Sequence, residues 1–259
     1  MNNLKFSIIM ASFNSEDNIL KAINSIKEQS YENYEIIFVD GLSTDNTLQV
    51  IEKNKPHNSH VISEKDLGIA DAWNKGLQRC SGDIIGILNS DDYYDKNVFK
   101  NILSFFVSEN EPFIGYGDVT WVDKDYLKVK KIIGKYNSKI KLLLYFGFMH
   151  PSVFFSKEVI KINGNFTLSK NIGMDTDWLL RARHLGIPFK RIPSHTFMKE
   201  GGISDKYKYA AMGEYMDSLT RYGFKDYHMI IFFFLRLAAH IIRFLMKPFF
   251  YIRNKLTLK

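Results

Sequence analysis

Cysteine is almost missing from this chain: Cys80 is the single one in 259 residues. That excludes an intrachain disulfide framework and a cysteine-built metal cage, and it suits a reducing compartment. No secretory leader is visible, because the apolar stretch Phe6–Met10 is short and runs directly into Ser12, Phe13 and Asn14, so the working domain is expected in the cytoplasm. There is no internal repeat, no low-complexity linker and no glycine-rich basic phosphate loop near the start, which places nucleotidyl transfer well behind other nucleotide chemistry. Charge of one sign is also lacking over most of the length. Residues 1–220 hold 27 acids and 27 Lys or Arg, whereas residues 221–259 hold eight Lys or Arg against Asp226 alone. The net charge of +7 therefore belongs to the tail.

What is present is a fold-competent composition, with 46% hydrophobic and 24% charged residues, long enough for one α/β domain with an appendage. Over the first 110 residues, short apolar runs alternate with helix-period segments, the pattern of βαβ units around a mostly parallel sheet. Strands are expected at Phe6–Met10, Glu35–Val39, His60–Ser63 and Ile84–Leu88. The helices between them carry Ile19, Ile23 and Ile26, then Leu48 and Ile51, then Ile69, Trp73 and Leu77, and Asn14 or Ser15 is placed to cap the first. Further on, strands are expected at Phe113–Val122, Val129–Ile133, His150–Phe155 and Phe189–Ile192. Helices are expected near Lys139–Phe146, Asp175–Leu185 and Lys206–Tyr222.

Four clusters carry chemistry. Asn89-Ser90-Asp91-Asp92 ends an apolar run, where adjacent carboxylates suit Mg2+ or Mn2+ beside a diphosphate; the same residues also make an Asx-rich turn capping the next helix. Asp40-Gly41-Leu42-Ser43-Thr44-Asp45 joins a strand-end acid to a helix start, fit for a base, ribose or phosphate contact, though capping alone accounts for Ser43 and Thr44. Glu64 to Gly68 precedes a helix decorated with Asp71, Asn74 and Lys75, a pattern shared with solvated faces. Gly173-Met174-Asp175-Thr176-Asp177 opens another helix. First-turn acids are favoured there by the helix dipole, and a carboxylate so placed could also deprotonate a hydroxyl.

The order of these blocks resembles family 2 of the glycosyltransferases with the GT-A fold, particularly bacterial enzymes of capsule, exopolysaccharide and O-antigen assembly. The resemblance runs through Ser7–Asn14, Val39–Asp45, Asp66–Gly76, Gly82-Asp83, Leu88–Asp92, Tyr116–Asp118 and Gly173–Trp178. It implies a GT-A nucleotide-diphospho-sugar transferase domain over residues 1–222, with a donor half to about residue 110 and an acceptor half after it. It implies an inverting, metal-dependent hexosyl- or N-acetylhexosaminyl-transferase that moves sugar from a nucleotide-diphosphate donor, a UDP-sugar favoured, to a glycan or lipid-linked acceptor. Ser12, Asn14, Asp40, Asp66, Asn74, Ser90 and Asp91 are implied as donor contacts, Asp91 as holder of Mg2+ or Mn2+, and Asp175 as general base. Asp118, Trp121, His150, Asp177 and Gly202 are expected on the acceptor side. Two positions depart from the family pattern, Asn89 for the first acid of the metal motif and Met174 for the acid before the base. They keep open a catalytically silent relative that binds nucleotide sugars or supports a membrane assembly.

The tail, residues 223–259, supports a separate expectation. From Met229 to Met246 the chain is apolar except Arg236, His240 and Arg243, which with Lys247 fall on one helix face, and Pro248 ends the run. The charges interrupt any spanning helix, so a basic amphipathic segment over 227–253, lying on the inner face of the cell membrane, is expected. The alternative is packing on its own domain or on a second subunit of a homodimer. No nucleic-acid partner is expected.

Overall fold

Strand β1 (Phe6–Ser12) is buried along its whole length, and its alternate residues serve two different cores. Phe6, Ile8 and Met10 enter one cluster and Ile9 and Ala11 the other, as the two-residue period of a strand covered on both faces requires. The computed structural model describes residues 3–143 and 145–225, together with Ile231, Phe234 and Ala238. The amphipathic segment expected over 227–253 lies outside the described residues.

Helix α1 (Ile19–Lys27) leads to β2 (Tyr34–Asp40), α2 (Thr47–Asn54) to β3 (Ser59–Ser63), and α3 (Ile69–Arg79) to β4 (Ile84–Ile87). These strands pair in parallel in the order β3-β2-β1-β4. Helices α1 and α2 bury Ile19, Ile23, Ile26 and Ile51 in one cluster, and α3 buries Trp73 and Leu77 in the other. At the strand N-termini, Glu35 is almost fully buried. It accepts hydrogen bonds from Lys5 Nζ (2.6 Å), Ser7 Oγ (2.5 Å) and the Ser81 amide (2.7 Å). Burial alone would raise this carboxyl, but these donors bring it down to about 2.

The second half adds β5 (Tyr93–Tyr94), α4 (Val98–Val107), β6 (Ile114–Val122), β7 (Lys128–Ile132), α5 (Lys139–Leu142), a 3-10 turn at His150–Ser152, β8 (Phe154–Ser156), α6 (Glu158–Asn163), α7 (Met174–His184), β9 (Phe189–Lys199), α8 (Ile203–Lys206) and α9 (Lys208–Arg221). The sheet continues β4-β8-β6-β9-β5, with β7 beside β6. Only β6 and β9 are parallel here, while β4–β8, β6–β8, β5–β9 and β6–β7 are antiparallel. The first half is thus parallel and the whole sheet mixed.

Three elements differ from their sequence reading. The β9 strand runs on to Lys199 rather than stopping at Ile192, with a register shift opposite Tyr116 and Asp118. A Cβ on Gly117 would lie 2.0 Å from the Ser194 carbonyl oxygen, so that close approach needs glycine. Residues His150–Ser152 form a 3-10 turn ahead of β8 instead of strand. Helix α5 stops at Leu142 rather than reaching Phe146; past it the Leu142 carbonyl accepts from the Tyr215 hydroxyl and the Tyr145 carbonyl from Asn137 Nδ2. Leu142, Leu180, Leu219 and Phe224 then form a third cluster that fastens α9 to the body.

Candidate active site

The loops that leave the carboxyl ends of β1, β3 and β4 face β7, the 145–150 segment, the start of α7 and helices α8 and α9 across a cleft of about 1900 Å3. This is where an open α/β sheet offers a ligand site. Of the residues singled out from sequence, Ser12, Asn14, Asp66, Ser90, Asp91, His150, Asp175 and Gly202 line it together.

The wall carrying Ser12, Asn14, Asp66 and Ser90, expected to be the donor side, is held by side chains that bridge loops. The Asn14 amide donates to Ser43 Oγ (2.9 Å), and Asn14 Oδ1 accepts from the Thr44 amide (2.9 Å). Asn14 therefore ties the β1 loop to the β2 loop, and α1 starts at Ile19 without a side-chain cap. Ser90 Oγ donates to Ser15 Oγ (2.8 Å), joining the β4 loop to the same wall. Asp66 Oδ1 accepts from the Gly68 amide (2.9 Å), and a Cβ on Gly41 would come within 2.6 Å of Asp66 Oδ2. Glycine at 41 is what lets Asp66 sit there.

Asp91 lines the cleft beside this wall, and its carboxylate accepts no hydrogen bond from another described residue. Burial pushes it up, partly offset by attraction to His150 and Lys199. Asp92 is driven up further, by burial and by Asp91 next to it. Its Oδ1 accepts from the Lys199 amide (3.1 Å), while Asp92 Oδ2 and Asn89 Oδ1 are buried without partners. Such an oxygen-rich, underused corner fits a hard divalent cation that completes its shell with phosphate and water. No group of three or more His, Cys, Asp or Glu able to hold a metal exists among the described residues, so Asp91 would be its protein anchor.

Asp175 opens α7 across from that corner. Its Oδ2 faces His150 Nδ1 at 3.1 Å, and Oδ1 accepts from the Thr176 amide at 2.7 Å. His150 Nε2 meets Asn89 Nδ2 at 3.2 Å. An amide nitrogen only donates, so this orientation of Asn89 leaves the imidazole proton on Nδ1, aimed at Asp175. Trp73 packs on the imidazole with centroids 5.1 Å apart. An apolar crevice of about 20 Å3 behind the pair is lined by Trp73, Phe155, Phe166 and Trp178. Burial there raises the Asp175 carboxyl, yet the His150 and Thr176 contacts outweigh it and hold the group below the usual carboxylate range. Asp175 is thus an ionised carboxylate oriented by His150 and Thr176, which line the cleft beside it.

Five expected site residues are used elsewhere. Asp40 is fully buried, and its carboxylate accepts from Ser12 Oγ (3.3 Å), the Ser43 amide (2.9 Å), Ser43 Oγ (2.5 Å) and Ser63 Oγ (3.1 Å). A base would reach it only by displacing a hydroxyl. Asn74 exchanges both of its amide groups with the Phe166 backbone (2.9 and 2.8 Å) and staples α3 to the segment before α7. Asp177, expected on the acceptor side, is fully buried and accepts from Thr167, Ser218 and Tyr222, a knot between α7 and α9. Asp118 pairs with Arg191 (2.8 Å) and Lys131 (3.6 Å) across β9, β6 and β7. Trp121 lies outside the cleft lining and donates its indole N–H to the Met149 sulfur at 3.3 Å.

Sequence reasoning missed Lys199, whose Nζ donates to Asn18 Oδ1 (2.7 Å) and lies 5.0 Å over Tyr126 beside the acid corner. No motif marked it, because it sits at the end of a strand that hydropathy cut short.

Residues 7–171 match the model of glycosyl transferase family 2. The chain belongs to that family. It is 27% identical over 254 residues to the amylovoran biosynthesis glycosyltransferase AmsB of Erwinia amylovora, covering 88% of this chain and 84% of AmsB. It is 36% identical over 124 residues to the Escherichia coli UDP-Glc:alpha-D-GlcNAc-diphosphoundecaprenol beta-1,3-glucosyltransferase WfaP, 47% of this chain and about half (48%) of that relative. Among solved structures, residues 1–349 of Staphylococcus aureus TarS in complex with UDP superpose with a TM-score of 0.63 at 20% identity over 87% of this chain and 68% of that one. The Pyrobaculum calidifontis mannosyltransferase PcManGT, in complex with GDP-Man and Mn2+, gives 0.61 at 17% over 87% and 66%. The fold of this family 2 member is the GT-A fold of those transferases.

Proposed function

We propose that this family 2 member is an inverting glycosyltransferase that takes a sugar from a nucleotide-diphosphate donor, a UDP-sugar favoured, and delivers it to a glycan or lipid-linked acceptor in bacterial surface polysaccharide synthesis. The observation that carries the reading is the joint placement of Asp91 and Asp175 in one cleft, with His150 spanning from Asn89 to Asp175. TarS is seen in complex with UDP and PcManGT with GDP-Man, and WfaP is a glucosyltransferase of alpha-D-GlcNAc-diphosphoundecaprenol; these support the substrate classes.

In this reading the loops carrying Ser12, Asn14, Asp66 and Ser90 seat the donor nucleotide. Asp91 would hold Mg2+ or Mn2+, which would supply charge neutralisation for the departing diphosphate. Asp175 takes the proton from the acceptor hydroxyl as its oxygen attacks the anomeric carbon, and the bond to the diphosphate oxygen breaks in the same step. An α-linked donor then yields a β-linked product. His150 keeps Asp175 ionised and aligned. The segment 227–253, by its composition, attaches the enzyme peripherally to the inner face of the cell membrane.

The silent relative is the second reading, and Met174 favours it. The side chain at the position where the family carries an acid is buried in the apolar core. Release of UDP from a panel of UDP-sugars without acceptor, with and without Mn2+, separates the two. Metal-stimulated release is expected, and binding without any release would favour the silent relative.

A further inference from the structure

The acceptor rim of the cleft carries a composition that neither catalysis nor the core accounts for. Its lysines Lys130, Lys135 and Lys208 are exposed, and none has a carboxylate partner among the ion pairs of the described residues. Neighbouring Lys131 is already engaged by Asp118. Interleaved with them are apolar tips held out in water: Ile133 at 54%, Ile203 at 59% and Tyr209 at 87% exposure. All six residues line the cleft on its acceptor side, where β7 and its exit lie with α8 and α9. The acids lining the cleft among the described residues are Asp66, Asp91, Asp92 and Asp175, none of them on β7, α8 or α9.

We infer that this rim docks on an anionic lipid bilayer, with Ile133, Ile203 and Tyr209 entering the interface and Lys130, Lys135 and Lys208 meeting the headgroups. A lone exposed apolar residue is ordinary on a protein surface, but basic and aromatic or aliphatic tips that alternate around one opening match the chemistry of a membrane interface. Charge selects the occupant. A neutral apolar partner would gain nothing from three lysines that have no carboxylate partner among the described residues, whereas acidic headgroups neutralise them all at once. The docking puts the mouth of the cleft against the membrane, so that a lipid-linked acceptor enters from the bilayer while the donor wall stays in water. The surface is distinct from the 227–253 segment, and it rests on the transferase reading only in taking this cleft as the place where acceptor enters.

The full chain provides the test. Cys80 is buried, so an introduced Tyr209→Cys can be labelled selectively with an environment-sensitive dye, and Glu32→Cys, before β2 at the far end of the sheet, serves as the control. With phosphatidylcholine–phosphatidylglycerol vesicles the dye at 209 is expected to shift to the blue and the dye at 32 to stay unchanged. Pure phosphatidylcholine is expected to leave both unchanged. Lys130→Glu combined with Lys135→Glu is expected to weaken vesicle binding by at least roughly tenfold. If the protein sediments with vesicles while the dye at 209 stays in water, the tail alone anchors it and the inference is wrong. A blue-shifted dye at 209 before vesicles are added means that the tail or a second copy covers the rim, which overturns it as well. Turnover of UDP-sugars with a soluble acceptor, measured on unlabelled protein, reports on the transferase reading separately.

Discussion

The two sides of the cleft are built on opposite principles. On the donor side, the loops after β1, β2 and β4 are laced together by Asn14, Ser15, Ser43 and Ser90, and Asp40 behind them is saturated with internal hydrogen bonds. On the acceptor side, β7, α8 and the start of α9 present lysines and apolar tips to water. A wall satisfied by its own bonds binds a ligand of fixed shape without reordering, which suits a nucleotide diphosphate. A rim left unsatisfied is made for a partner that arrives as a surface. His150 and Asp175 stand at the junction.

That contrast can be broken from either side. Asp91→Asn is expected to have the largest effect, lowering transfer by roughly a thousandfold through loss of electrostatic stabilisation of the leaving group. Isothermal titration should show it losing the Mn2+-dependent part of its UDP affinity. An unchanged metal requirement would shift the anchor away from Asp91. His150→Gln comes next, at roughly tenfold to a hundredfold in kcat with donor KM little changed. The sign of its pH effect follows from what holds Asp175 down. With the His150 contact gone and burial retained, the Asp175 carboxyl rises, so the acidic limb of kcat/KM should move toward neutral pH. A limb that stays put would make His150 merely structural.

Asp177→Ala sharpens the comparison in stability. Removing an acceptor that serves Thr167, Ser218 and Tyr222 should cost roughly 2–4 kcal/mol in denaturant unfolding. Activity per folded molecule should be close to normal, and a selective loss of kcat would return Asp177 to the site. Glu35 gives the smallest and most pH-dependent effect. Its folded value near 2 lies below the ordinary 4.5, so its contribution is complete above the unfolded value and is lost as pH falls toward 2. The stability gap between the wild type and Glu35→Gln should shrink over that window, and a constant gap would contradict the assignment.

The same contrast explains what could be read from sequence. Strands β1, β2 and β4 were legible because each is an apolar run with both faces buried. The far end of β9 was not, since Ser194 and Thr196 are buried polar residues and Thr196 Oγ1 is paired with the Pro151 carbonyl, which no hydropathy pattern records. Strand β5 has only two residues. At the site, residue type and order found Asp91 and Asp175, but Asn74 and Asp177 look the same in sequence and turn inward. What sorts them is a contact tens of residues away, 92 for Asn74 and Phe166 and 41 for Asp177 and Ser218. The place of His150 between Asn89 and Asp175 likewise exists only in the folded chain.

The central claim is that the donor wall binds while Asp175, across the cleft, removes the proton. Measuring UDP affinity and acceptor-dependent transfer on one preparation of Asp175→Asn tests it most directly. UDP affinity within about twofold of wild type, with transfer reduced by roughly a hundredfold or more, is the predicted result. Near-normal transfer by that variant would contradict it.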